Sequence, residues 1–433
     1  MARKLSRRRF VQTTASLAAS VGFFGSASAA EKKPGPNERL NLGIIGVEGQ
    51  GAYNLGNVTS ENIVALCDVD TARAAKARDA HPKAAFYQDF RKLLDRDDLD
   101  AVVIATPDHM HAIPAVMAMR SGKHVYCEKP LAHSVHEVRV MREIANQKKL
   151  VTQMGTQIHA QDNYRRVVEI VQAGVLGPVK RVQVWCAKRP DTRKLSKTPV
   201  KVPESLDYNL WLGPAPDRPY DSAFLPFHWR WWFDFGGGIL ADMACHYMDL
   251  PHWALDLRLP ESVQATGKRT GSGDHDVPDV LQADYRYPAR GDLPAVELTW
   301  YSGVTGPSLD TKEPFHGFPN GVLFEGEKGQ LVADYDKHKL LPEDKFKGFS
   351  PPKQTIKSSI GHHKEWIEAI KNGGTTTCNF DYSGCLAETV LLGNVAFRCG
   401  EKIQWDGKAG KVTNKVAAAD RYIQREYRKG WSL

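Results

Sequence analysis

The seven cysteines of this 433-residue chain are odd in number, scattered from Cys67 to Cys399, and include no C-x-x-C pair. Disulfide frameworks and zinc sites need spaced partners, so neither is indicated, and the thiols read as small buried apolar residues. Other metal ligands are equally scarce. Asp274-His275-Asp276 and His362-His363 lack spaced partners and read as loop or helix-start residues. No internal repeat is evident. With 42% hydrophobic and 25% charged residues and a mean hydropathy of −0.42, bulk disorder and a multi-span membrane protein are excluded. Acids are missing from the first thirty residues, where Arg3, Lys4, Arg7, Arg8 and Arg9 supply five of the eight net positive charges. The remainder is nearly balanced and makes no case for nucleic acid.

Those thirty residues have an order of their own. A basic stretch ends in Ser6-Arg7-Arg8-Arg9-Phe10, a weakly apolar run covers Ala15 to Phe24, and Ala27-Ser28-Ala29 is small. The run is too short and too rich in Ser and Thr to span a bilayer of about 30 Å. The pattern predicts a signal peptide over 1–29, cleaved near Ala29, and the paired arginines resemble a twin-arginine signal. Export to the periplasm by that machinery is the expectation, with 30–38 as a linker.

From Leu40 to Met154 short apolar runs alternate with helical stretches. Leu40–Gly46, Ile63–Cys67, Ala101–Ala105, His124–Cys127 and Leu150–Met154 read as strands. Helices are expected at Thr71–Ala80, Asp89–Arg96, His111–Ser121 and Ser134–Lys148. Buried strands alternating with helices predict a parallel sheet covered on both faces, with ligands at the strands' carboxyl ends. The first such end, Gly46-Val47-Glu48-Gly49-Gln50-Gly51, is nearly a G-x-G-x-x-G dinucleotide loop, and Asp68 closes the second strand. Bare backbone at a helix N-terminus suits a pyrophosphate, and a carboxylate suits the ribose hydroxyls of NAD while repelling the 2′-phosphate of NADP. Glu48 stands where the middle glycine belongs. A carboxylate about 4 Å from a phosphate costs roughly 4 kcal/mol at an effective dielectric near 20. Glu48 must therefore point away, or Gly49 must serve in a shifted loop, or binding is weakened.

Three further motifs join these: Ala105-Thr106-Pro107-Asp108-His109-Met110-His111, Glu128-Lys129-Pro130 and Gly236-Gly237-Gly238-Ile239-Leu240-Ala241-Asp242. Together they make the chain resemble the glucose-fructose oxidoreductase / inositol dehydrogenase (Gfo/Idh/MocA) family from about Leu40 to beyond Arg398. The resemblance implies a Rossmann domain, here 39–157, followed by a C-terminal α+β domain, 158–433, on an open, mostly antiparallel sheet that commonly carries a homo-oligomer interface. It implies that Gly46 and Gly51 meet the phosphates and Asp68 the ribose, with Gly49 a further cofactor-binding candidate through the shifted loop. Thr106, Pro107 and His111 would line the cofactor, with Glu128 and Lys129 beside the nicotinamide. Lys129, Asp242 and His246 would be catalytic, the last two from a D-x-x-x-H pattern.

The residues themselves agree with that assignment. Ile239 to Trp253 has helical spacing, so Asp242 and His246 share one helix face. Oxidising an alcohol requires a base near neutrality, which histidine beside a carboxylate can supply, and Lys129 favours the developing alkoxide. Gln157, Trp211 and Arg230 are candidate substrate contacts. Trp211, Trp229, Arg230, Trp231 and Trp232 either stack and bond a carbohydrate ring or crowd a core. Val179–Trp185, Leu281–Tyr287 and Ala295–Trp300 alternate as half-buried strands. Lys188 to Lys201 reads as a solvated loop, and Gly303 to Ser359 as irregular covering loops.

Three functions follow for comparison. The first is an exported NAD-dependent oxidoreductase acting on a sugar, polyol or glycoside hydroxyl. The second recycles a carried cofactor within the site, by sugar-to-sugar hydride transfer or by oxidation, elimination of a glycosidic bond and re-reduction. The third is a cofactor-free sugar-binding protein.

Overall fold

The computed structural model describes residues 39–433; the expected signal peptide and the linker 30–38 lie outside the described residues. The first part alternates β1 (Asn41–Ile45), α1 (Gln50–Asn57), β2 (Asn62–Cys67), α2 (Ala75–Ala80), β3 (Ala85–Tyr87) and α3 (Phe90–Leu94). It continues with β4 (Ala101–Ile104), α4 (Ala112–Arg120), β5 (His124–Glu128), α5 (Val135–Lys148) and β6 (Thr152–Gly155). All six strands are parallel, in the order β3-β2-β1-β4-β5-β6. β4 is buried along its whole length and β1 and β5 nearly so, as expected of strands with helices on both faces. The strand order reverses between β1 and β4, which opens a crevice at their carboxyl ends. Two details differ from the sequence reading. β3 has only three residues, too few to show a period. α2 begins at Ala75 rather than Thr71, because the Asp70 carboxylate takes the N–H groups of Ala72 and Arg73 and holds a turn there.

The second part runs through α6 (Asp162–Gln172), β7 (Val179–Cys186), α7 (Tyr208–Leu212), α8 (Gly238–Tyr247), α9 (Asp249–Ala254), β8 (Ser262–Lys268), β9 (Val280–Tyr287) and β10 (Val296–Ser302). It ends with β11 (Gly321–Gly326), β12 (Gly329–Ala333), β13 (His338–Leu341), α10 (His362–Asn372), α11 (Phe380–Cys399), β14 (Ile403–Asp406), β15 (Lys411–Val412) and α12 (Ala419–Ile423). Its nine strands lie in the order β13-β12-β11-β7-β10-β9-β8-β14-β15, antiparallel except where β7 meets β10. The stretch 303–359 is therefore more than covering loops. It supplies three strands, and Phe315 and Phe318 pack over Trp185, whose indole N–H donates to the Phe318 carbonyl at 3.0 Å. The single helix expected from Ile239 to Trp253 is divided at Met248. Pro251 explains the break: its ring would meet the carbonyl four residues back, at Tyr247, where α8 stops.

The two parts share side chains. α10 places Trp366 and Ile367 in one core with Leu42, Ile44 and Tyr126. α11 packs on α5, α8 and β8. Its buried Glu388 accepts from Arg139 at 2.8 Å and from the Trp405 indole at 3.0 Å. Beyond α12, Arg425 and Tyr427 reach Glu137 at 2.7 and 2.6 Å. That same Glu137 closes the capping box on Ser134 that starts α5. Six cysteines are buried, Cys399 is half-buried, and all seven are free.

Candidate active site

A cleft of about 280 Å³ lies at the β1/β4 crevice, walled by residues from both parts. At one end the turn after β1 is packed backbone to backbone. A Cβ on Gly46, whose φ is +83°, would lie 2.6 Å from the Ala105 carbonyl oxygen, and one on Gly51 2.1 Å from the Gly46 oxygen. Gly49 has φ +60° with open space around it, and α1 starts at the next residue. Helix N–H groups at this end suit a phosphate. The Glu48 departure is answered by its partner: the side chain forms an ion pair with Arg73. Asp68 accepts from the N–H groups of Val47 at 3.1 Å and Asp70 at 3.0 Å, and burial raises its pKa despite these bonds. The glycine cradle, the helix start and the acid at the tip of β2 together fit NAD.

Thr106, Pro107 and His111 line the middle of the cleft. His111 braces it as well, its Nδ1 and Nε2 lying 2.8 Å from the carbonyls of Pro130 and Thr106. Burial lowers its pKa to about 4 despite those carbonyls. Glu128 is fixed by three amide donors, Gln50 at 3.1 Å, Asn54 at 2.9 Å and Gln157 at 2.8 Å, while burial pushes its pKa up. A Cβ on Gly155 would sit 2.5 Å from that carboxyl group, so β6 must end in glycine for Glu128 to lie there.

Lys129 and His246 line the same cleft. The Lys129 ammonium donates to the Asp242 carboxylate at 2.9 Å and to the Asp242 carbonyl at 2.6 Å, and Arg230 Nε donates to the same carboxylate oxygen at 3.0 Å. Burial alone would raise the Asp242 pKa, but the two cations outweigh it and hold the group ionised. The pairing leaves His246 without the expected carboxylate. Its Nδ1 has no partner, and burial with the nearby Lys129 charge lowers its pKa to about 3. The imidazole is neutral at any ordinary pH, instead of titrating near neutrality as its spacing from Asp242 suggested.

Gln157, Trp211 and Arg230 all reach the cleft, so every predicted substrate residue is there. Of the four tryptophans, Trp211 and Trp229 line it, and Trp231 and Trp232 belong to the core. Arg230 lies over the rings of Phe227 and Trp229, 4.2 Å from each centroid. Sequence reasoning assigned no role to Gln50, Asn54, Phe227 or Asp108. The position of Asp108, at the carboxyl end of β4, is the signal that could have found it. Among the described residues no three or more His, Cys, Asp or Glu side chains converge to hold a metal.

Two family models match the chain. Residues 40–156 match the NAD-binding Rossmann fold of an oxidoreductase family, and residues 161–433 match that family's C-terminal alpha/beta domain. An inositol 2-dehydrogenase of Rubrobacter xylanophilus is 33% identical over 35% of this chain and 45% of its own length. A glycosyl hydrolase family 109 protein of Solibacter usitatus is 31% identical over 40% of this chain and 44% of its own. The chain thus aligns with less than half the length of either relative. Among solved structures, a Bordetella pertussis dehydrogenase in complex with NADH and UDP-GlcNAcA superimposes with a TM-score of 0.61. It is 16% identical, covering 85% of this chain and 99% of that one. At that identity the likeness speaks for the fold.

Proposed function

The chain belongs to the Gfo/Idh/MocA family of NAD-dependent oxidoreductases, and from that premise we propose that it is an exported enzyme that oxidises a ring hydroxyl of a sugar, polyol or glycoside while keeping its NAD. One observation carries the reading: Lys129 and His246 face a single cleft whose other end is the glycine turn and Asp68. Bound NAD supplies the hydride acceptor. Lys129, steadied by Asp242, holds the substrate oxygen and favours its negative charge as the hydride departs. The neutral His246 ring lines the cleft beside Lys129 and helps to position the substrate. Trp211 and Trp229 offer apolar faces to a sugar ring, and the Arg230 guanidinium a donor to its rim. The basic leader, the apolar run and the Ala27-Ser28-Ala29 site support export.

The glycosyl hydrolase family 109 relatives favour a second reading of the same cleft. A transient ketone acidifies the adjacent C–H, and loss of that proton expels the glycosidic oxygen, which leaves protonated as an alcohol. Water adds across the resulting C=C, and return of the hydride to the ketone closes the cycle with no net redox change. Incubating the protein as isolated with a panel of p-nitrophenyl glycosides, without added NAD, distinguishes them. Released nitrophenol supports cleavage. Oxidised sugar with NADH formed one for one supports the dehydrogenase, and neither product with any sugar or polyol would sink both.

A further inference from the structure

Of the carboxyl groups that line the cleft, Asp108 is one that the reading above leaves idle. Asp108 opens the turn after β4, is 5% exposed, and its side chain bonds only to its own backbone N–H. It stands in the wall between two cavities. One is the cleft; the other, about 20 Å³, is bounded in part by Pro130, His133, Asn394, Arg398 and Tyr422. That volume suffices for one water molecule, provided polar partners are present. Two are present with hydrogen-bonding capacity to spare: His133 Nδ1 and Asn394 Oδ1 are buried and have no partner. Arg398 and Tyr422, both half-buried, form the outer wall, the guanidinium 3.9 Å from the ring centroid.

We propose that Asp108 is the proton-relay residue of the reaction, taking the proton of the substrate hydroxyl and passing it through a water seated between His133 and Asn394 toward the surface at Arg398 and Tyr422. This rests on the oxidoreductase reading. In the oxidation, the C–H bond gives its hydride to the nicotinamide cofactor while the O–H proton goes to the Asp108 carboxylate. The water then takes that proton, leaving Asp108 ionised for the next cycle. The charges around the carboxyl group are mixed. Lys129, just after β5, and Arg230, from the turn before α8, favour its ionised form. Asp242 on α8 opposes it, and Cys127 and Cys245 lie close by. His133 is kept neutral by burial and by Arg425, while Arg398 faces the smaller cavity. Burial dominates and sets the Asp108 pKa at about 7, so the group can exchange a proton where His246, at about 3, cannot.

Infrared pH-difference spectra of the substrate-free protein test the titration directly. A protonated-carboxyl band that bleaches across neutrality and is missing from Asp108→Asn is expected; no such band overturns the proposal, whatever the substrate proves to be. In turnover, Asp108→Asn should lower kcat about 100-fold and erase the acidic limb of its pH profile, with Asp108→Glu restoring part of both. A limb retained in Asp108→Asn overturns the relay while leaving the oxidoreductase reading intact. If that variant does not fold, His133→Phe keeps the ring shape and the Asp108 band. It should lower kcat and raise the solvent isotope effect at unchanged KM, and wild-type values for both would overturn the exit route.

Discussion

At the residue scale, most of the chemistry rests on what each charge is paired with. Lys129 is only 12% exposed, and Arg230 still accompanies Asp242 once the ammonium is gone. Lys129→Met should therefore fold and lose about 10²–10³ in kcat, the scale of a lost oxyanion donor. Steady-state kinetics together with a melting curve would check both halves of that statement. Glu48 is paired with Arg73 near the surface, 43% and 38% exposed. Exposed pairs contribute about 0–1 kcal/mol. Glu48→Gly should then change the NAD dissociation constant by no more than about fivefold in calorimetry, and a hundredfold gain would mean that Glu48 opposes the phosphates after all. The family resemblance named Lys129, Asp242 and His246, and helical spacing put the last two on one face; how the three are paired was not legible. A four-residue offset places two side chains on one helix face but does not show that Lys129 and Arg230, from other elements, claim the carboxylate first.

At the element scale, strands were legible wherever burial on both faces left an unbroken apolar run, as in β1, β4 and β5. Segments shaped by a distant partner were not. β11 and β12 are short, each begins with glycine, and neither alternates between buried and open residues, so only their pairing with β7, with each other and with β13 marks them as strands. The split between α8 and α9 could have been read from Pro251. The segment after α12 gives a direct test of such remote support. Arg425 holds Glu137, which is 1% exposed and also caps α5, and its guanidinium donates to the His109 carbonyl at 2.6 Å as well. Removing one partner of a buried pair costs about 3–5 kcal/mol. Arg425→Ala should lower urea-unfolding stability by that order, part of which Tyr427 offsets through its own bond to Glu137.

Across the whole molecule, buried histidines decide the response to acid. His109, His246, His252 and His362 have pKa values lowered to about 3, and His111 to about 4, chiefly by burial. The unfolded chain binds these protons below about pH 6.5, and the folded chain does not. Stability must therefore fall as pH drops from about 6.5 toward 4, by up to about 1.4 kcal/mol per pH unit for each histidine. Asp242, with its pKa lowered, loses stabilisation in the same direction. Asp108, raised to about 7, acts oppositely and destabilises as pH rises from about 4 to 7. Asp68, Glu128, Asp276 and Glu388, also raised by burial, act with it, while His133 and His363, lowered by burial, join the five histidines above. Urea titrations at a series of pH values should show a steep acid-side decline; a flat response would mean that several of these rings are already charged in the fold.

The Trp366 and Ile367 side chains that α10 lends to the first sheet have a practical corollary for anyone dissecting the gene. An isolated 39–157 fragment would lose Trp366 and Ile367 from the core that holds Leu42, Ile44 and Tyr126, baring the Tyr126 ring, and the complementary piece would carry an orphaned indole. Expressed separately, the halves should precipitate or cling to chaperones, and mixing them should restore solubility that neither has alone.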